Sequence, residues 1–150
     1  MPEMRFSTKE IGILFTCIVL DRISKIWALR NLKGGAYPLL PPFFKLKLTF
    51  NEGSAFGVKL FDGKLPWIAL TAILITSLYL FQTRSQRYKL GRAMITGGAL
   101  GNLIDRLLNG KVIDFISFYK WPTFNLADTF ITGGLILLIL SMLKNDDHQS

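Results

Sequence analysis

Four apolar runs in 150 residues leave this chain few ways to fold. The plainest, Leu65–Gln82, is 18 residues long, carries no charge, and has Trp67 near one end. A helix needs about 20 mostly apolar residues to cross a bilayer, and in hydrocarbon the backbone must satisfy its own hydrogen bonds. Ile11–Leu29, Ala93–Asn109 and Leu126–Leu143 are the other candidate spans. Half of the chain is hydrophobic and its mean hydropathy is +0.35, whereas soluble domains break up their apolar residues. Residues 1–150 are expected to form one domain: a mainly α membrane protein of four transmembrane helices.

The segments between the runs add detail. A basic start followed by an apolar run could mark a cleaved signal peptide, but the first run ends in DRISKIWALR, with no small-x-small cleavage site, which favours a retained helix. In residues 31–64, Gly34, Gly35, Pro38, Pro41 and Pro42 break any helix. Phe44–Phe50, FKLKLTF, then alternates strictly, the period of a half-buried strand, and Asn51–Gly57 reads as a turn into a second short strand. A lone hairpin is marginal in water, so the expectation is a small β-sheet between the first and second helices, docked at the membrane surface. Lys111–Thr123, with Phe115, Phe118, Tyr119 and Trp121, reads as a short aromatic connection at the membrane boundary.

Charge bias orients the bundle. Thr83–Arg92 has four Lys or Arg in ten residues and the N-terminus two in ten, against five in 34 for residues 31–64. The positive-inside rule puts both termini in the cytoplasm and the strand-bearing loop and residues 110–125 outside. The net charge of +8 is spread between apolar runs, not gathered into one stripe, which argues against nucleic acid as a partner. Cys17 stands alone and His148 is the only histidine, lying in the polar tail. An internal disulfide, histidine-bound zinc and Ser-His or Cys-His catalysis are therefore excluded.

Polar groups inside or beside apolar runs are costly and need a reason. Asp21 and Lys25 lie four apart in the acid-then-base order and can pair. Gly97 and Gly101 form a small face that lets another helix approach. Asn102, Asp105 and Arg106 share one helix face, and Gly110 closes that helix. Asp114 follows the third span and Asp128 begins the fourth, both on the outer side; the short connection makes those helices antiparallel neighbours. Two close carboxylates share a proton, so one can serve as base toward water while the other donates to a carbonyl. The residues alone leave a plainer reading open, with Asp128 starting a helix and Asp114 in a wet loop. A small transporter would want its ionisable residue near mid-membrane; a structural subunit would leave the asparagines and both aspartates unexplained. A Ser-Lys dyad on Ser54 needs a desolvated lysine beside it.

DRISK at Asp21–Lys25, NEGSAFG at Asn51–Gly57, GGALGNLIDR at Gly97–Arg106, VIDF at Val112–Phe115 and FNLAD at Phe124–Asp128 occur in that order. In this the chain resembles the bacterial lipoprotein signal peptidases, the signal peptidase II family, from the first span to the last. The resemblance implies an aspartic endopeptidase of the bacterial inner membrane with Asp114 and Asp128 as catalytic dyad near the outer leaflet. It implies that Asn51, Asn102, Arg106 and Asn125 bind substrate, with Asp21, Lys25, Gly53 and Asp105 in support. The implied substrate is a diacylglyceryl-modified prolipoprotein, cut before its lipid-bearing cysteine by an enzyme working as a monomer among membrane lipids. The resemblance further implies that no metal or organic cofactor takes part, and that the cyclic peptide globomycin blocks the enzyme.

Overall fold

The computed structural model describes residues 7–52, 54–55, 58–59, 67–68, 71–72, 74–75 and 86–146. Helix α1 (Thr8–Asn31) starts at a reciprocal cap: Ser7 Oγ accepts from the Glu10 backbone N–H, and the Glu10 carboxylate accepts from the Ser7 N–H. Glu10 is buried and also takes the Arg92 guanidinium, with Nε at 3.1 Å. Arg92 belongs to α2 (Gln86–Asn109), which starts ahead of the Ala93 boundary expected from hydropathy. Residues 86–92 of the basic segment are the first part of the helix, with Arg92 drawn inward by Glu10. Gly110 ends α2 at φ +72°, its N–H bonded to the Arg106 carbonyl at 3.0 Å. Helix α3 (Leu126–Asp146) begins where the fourth apolar run was expected.

Helix α2 is central, packed against both α1 and α3. Its glycines make this possible. A Cβ on Gly97 would meet Cys17 Cβ at 2.7 Å and the Leu14 carbonyl at 2.9 Å, and one on Gly101 would meet Asp21 Oδ2 at 2.7 Å. Gly98 is turned the other way, toward Ala127 and Ile131 of α3. The expected GxxxG face is therefore the α1–α2 contact. Gly101→Ala is expected to cost about 1–3 kcal/mol, read as a lower thermal midpoint in detergent. Gly12→Ala, where nothing lies within 4 Å, should leave the midpoint unchanged or slightly raised.

The helices present apolar surface outward and charge inward, the reverse of a soluble bundle. On α1, Asp21 and Lys25 are 0% and 1% exposed while Phe15 and Ile23 are 65% and 59% exposed. Among the described residues, one helical stretch, Leu126–Leu143, is both long and apolar enough to cross a membrane. The Leu65–Gln82 run falls mostly outside the described residues; Trp67–Ile68, Thr71–Ala72 and Leu74–Ile75 are helical. Leu74 and Ile75 pack on a core of Tyr88, Ile95 and Leu138.

The sheet differs from the expectation in its partners: the short strand expected after the Asn51–Gly57 turn pairs not with Phe44–Phe50 but with Ser54–Ala55, inside that expected turn. Strands β1 (Tyr37–Leu40) and β2 (Phe44–Asn51) pair antiparallel, but a third strand joins them. Ser54–Ala55 (β3) and Val58–Lys59 (β4) form a separate hairpin, and β5 (Val112–Phe118) lies beside β2 in the order β1-β2-β5. The segment expected as an aromatic connection is thus mainly a strand, and the sheet is shared between two loops. Its burial runs unbroken from Val112 to Phe115, so no two-residue period marks it as a strand. On β2, Lys45 and Lys47 are exposed and Leu46 and Leu48 half-buried, as alternation requires, until a register shift between Leu46 and Thr49. Beyond it Thr49 turns inward and Phe50 outward. Phe115 packs with Ala28 and Leu32 at the end of α1, fixing the sheet to the bundle.

Candidate active site

Strand β5 and the start of α3 meet because the chain doubles back. After Tyr119, at φ 44°, it returns so that Phe124 bridges Ile116, with Ile116 N–H to Phe124 O at 2.8 Å and Phe124 N–H to Ile116 O at 2.9 Å. This places Asn125, which is fully buried, beside Asp114. Asn125 then caps α3. Its Oδ1 accepts from the Asp128 N–H at 2.9 Å, and Asp128 Oδ2 accepts from the Asn125 N–H at 3.1 Å, a reciprocal cap. The helix-start reading of Asp128 is thus true in geometry, and it uses only one carboxylate oxygen. The other, Oδ1, accepts from Asn102 Nδ2 at 2.8 Å.

Asp114 is 2% exposed on β5, across the ladder from Thr49. Asn125 Nδ2 donates to its Oδ1 at 2.7 Å, and Asn51, its diagonal neighbour on the same sheet face, also hydrogen-bonds its carboxyl. Burial, and then the nearby Asp128 charge, push Asp114 up to about 7, against the opposing hydrogen bonds of Asn125 and Asn51 and the Lys25 charge. The wet-loop reading of Asp114 does not survive this placement.

Asn102 and Asn125 link the two carboxyls. Asn125 Nδ2 donates also to Asn102 Oδ1 at 3.0 Å and, more weakly, to the Ile113 carbonyl at 3.3 Å. Asn102 Oδ1 accepts a second bond from Lys25 Nζ at 3.1 Å. Lys25, 1% exposed, spends its remaining donors on Asp21 at 2.9 Å and Asp105 at 2.8 Å. Arg22 bridges the same two aspartates, at 3.0 and 2.6 Å.

That four-charge cluster is neutral and reaches the chain on either side of the site. Asp105 Oδ2 accepts the backbone N–H of Ile113, next to Asp114, at 3.1 Å. Asp21 Oδ1 accepts the backbone N–H of Ala127, next to Asp128, at 3.0 Å. The supporting residues therefore hold the backbone that carries both carboxyls. Arg22 was absent from the sequence-based set, although a basic residue in an apolar run beside Asp21 was a signal for it. Arg106 lies over the Trp67 ring at 3.8 Å, and its buried Nε meets no hydrogen-bond partner among the described residues. Gly53 lies outside the described residues.

A small antiparallel sheet capping helices whose charges point inward is the architecture of a bacterial membrane enzyme. A membrane enzyme solved by the in meso method matches it at a TM-score of 0.85 and 29% identity, over 97% of this chain and 93% of that one. A second, solved the same way, matches at 0.80 and 31%, over 96% and 98%. The model of the signal peptidase (SPase) II family matches residues 13–144, and the chain belongs to that family. The lipoprotein signal peptidase of Burkholderia mallei (strain SAVP1) is 42% identical over 89% of this chain and 87% of its own length. That of Clostridium tetani (strain Massachusetts / E88) is 39% identical over 93% and 96%.

Proposed function

We propose that this protein is a membrane-embedded aspartic endopeptidase, in which Asp114 and Asp128 cut diacylglyceryl-modified prolipoproteins just before the lipid-bearing cysteine. The observation that carries the reading is the buried Asp114 carboxyl, held near neutral pKa and joined through Asn125 and Asn102 to Asp128. The name shared by its relatives supports the substrate class.

In this mechanism Asp128 acts as base and takes a proton from water, whose oxygen attacks the scissile carbonyl. Protonated Asp114 donates to the carbonyl oxygen, giving a neutral tetrahedral diol. On collapse the C–N bond breaks, Asp128 returns its proton to the departing cysteine amine, and a diol hydroxyl reprotonates Asp114. Charge never accumulates on the substrate, which suits a site screened from water.

The asparagines take their place in this scheme through the carboxyls. Both Nδ2 hydrogens of Asn125 are engaged with protein acceptors, whereas Asn102 retains one amide N–H for a substrate carbonyl. The Arg106 Nε, which meets no acceptor among the described residues, is a second donor for the substrate backbone, and Asn51 completes the wall beside Asp114. All of these side chains come from one chain, so a monomer suffices.

Four spans with both termini in the cytoplasm place the dyad at the outer leaflet, where a substrate anchored by acyl chains and an apolar signal helix would arrive. Charge bias supports that orientation, and the outward apolar faces of α1 and α3 support membrane embedding. A groove of about 460 Å³, lined by Asp128, Thr129, Thr132, Gly133, Ile136 and Trp121, runs from Asp128 along α3 and offers an apolar approach to that carboxylate.

The test is cleavage by the purified, detergent-solubilised enzyme. It should cut a diacylglyceryl-modified prolipoprotein and leave the unmodified precursor intact, and globomycin should block turnover. Ser54→Ala should keep most of the activity. Complete loss with that variant, in folded protein, would move the chemistry to a serine.

A further inference from the structure

Three lysines outside the site gather around Phe50. Lys33, just past the end of α1, and Lys47 on β2 line a cavity of about 210 Å³ with Leu32, Leu48 and Phe50. Lys111, at the start of β5, holds its Nζ 4.3 Å from the centre of the Phe50 ring. No carboxylate lines that cavity, and among the described residues none of the three lysines enters a salt bridge. The buried charges Asp21, Arg22, Lys25 and Asp105, by contrast, pair closely with one another. Three ammonium groups outside any described salt bridge, gathered around one aromatic ring, make a field suited to an anion.

We propose that Lys33, Lys47 and Lys111 bind the phosphate of an anionic phospholipid headgroup in the outer leaflet. The surroundings select a lipid over a soluble anion. The cavity walls are Leu32, Leu48 and the ring of Phe50, which is 45% exposed. The neighbouring edge strand β1 exposes Tyr37, Leu39 and Leu40, and Trp27 and Ile26 are exposed on the last turns of α1. An aromatic and aliphatic rim around a basic pocket belongs at the boundary between headgroups and acyl chains. Beta2, which carries Lys47, ends at Asn51 beside Asp114, so a lipid held here would also anchor the strand that borders the dyad. The inference rests on the outer-leaflet placement of the sheet, and not on the proteolytic chemistry.

The full-length protein in neutral detergent would be titrated with phosphatidylglycerol, phosphatidylcholine and inorganic phosphate, with bound species counted by native mass spectrometry. Phosphatidylglycerol should bind best. The triple variant Lys33→Gln, Lys47→Gln, Lys111→Gln should weaken it by about 100-fold, about fivefold per lysine, and the corresponding triple arginine variant should retain binding. Thermal midpoints equal to wild type would establish that the variants are folded. Equal binding of phosphatidylglycerol to wild type and the glutamine variant would overturn the proposal, as would equal binding of the two lipids to wild type. Inorganic phosphate binding as tightly as phosphatidylglycerol would make this a phosphate site and overturn the lipid assignment. Asp114→Asn should bind phosphatidylglycerol as wild type does, so a failure of the proteolytic reading would leave this result standing.

Discussion

Asp114→Asn is expected to abolish cleavage, by at least about 1,000-fold, and at pH 8 to make the protein more stable than wild type. Both effects follow from one buried carboxyl. Its pKa, about 7 in the folded protein, lies above its ordinary 3.8. A raised folded pKa means that its contribution to stability is fully present below about 3.8 and is lost as pH rises through about 7. Wild type at pH 8 therefore carries a buried charge next to Asp128, at a cost on the order of 4 kcal/mol. Asparagine carries no charge, and its Oδ1 still accepts the bond from Asn125. The gain should shrink toward pH 5 and vanish near pH 4, as read from thermal midpoints across pH. Asp128→Asn should be equally inactive but less stable, because both oxygens of Asp128 accept from N–H donors and an amide NH2 cannot replace one of them. Its loss of the cap is expected to cost about 0.5–2 kcal/mol. In wild type, turnover should fall as pH rises through about 7, when Asp114 loses the proton it donates. An activity that climbs between pH 6 and pH 9 would remove Asp114 from the role of acid.

The sequence exposed what violates the rules of an apolar environment. Asp114, Asp128 and Asn102 stood out because polar groups beside spans are costly, and the Asp21–Lys25 pair because its spacing is local. Phe44–Phe50 was legible as a strand because one of its faces is exposed. Strand β5 was hidden by the same logic, since its unbroken burial from Val112 to Phe115 erases the period. Long-range partners were hidden too. Asp21 reaches Ala127 across 106 positions and Asp105 meets Arg22 across 83, and no pattern within one segment encodes either contact. The return of Phe124 onto Ile116, which sets Asn125 between the two carboxyls, depends on that same tertiary pairing.

Lys25→Met is expected to be among the most damaging changes outside the dyad. It removes one of two cations from a buried neutral cluster and leaves Asp21 and Asp105 sharing Arg22 alone. Breaking a buried pair in this way costs about 3–5 kcal/mol. The same change frees Asn102 Oδ1 from one of its two donors, loosening the amide that holds Asp128, so kcat should fall about tenfold or more with a smaller effect on KM. Stability alone would not separate positioning from packing, but two further readouts do. The Lys25 charge works against the rise of the Asp114 pKa, so its removal should move the alkaline limb of turnover above about 7. A purely structural lysine would leave that limb in place. The double variant Lys25→Met, Asp21→Asn restores neutrality with one Arg22–Asp105 pair, and it should recover at least half of the lost stability without recovering kcat. Full recovery of kcat in the double variant would show that Lys25 serves the fold alone and that the cluster does not position the dyad.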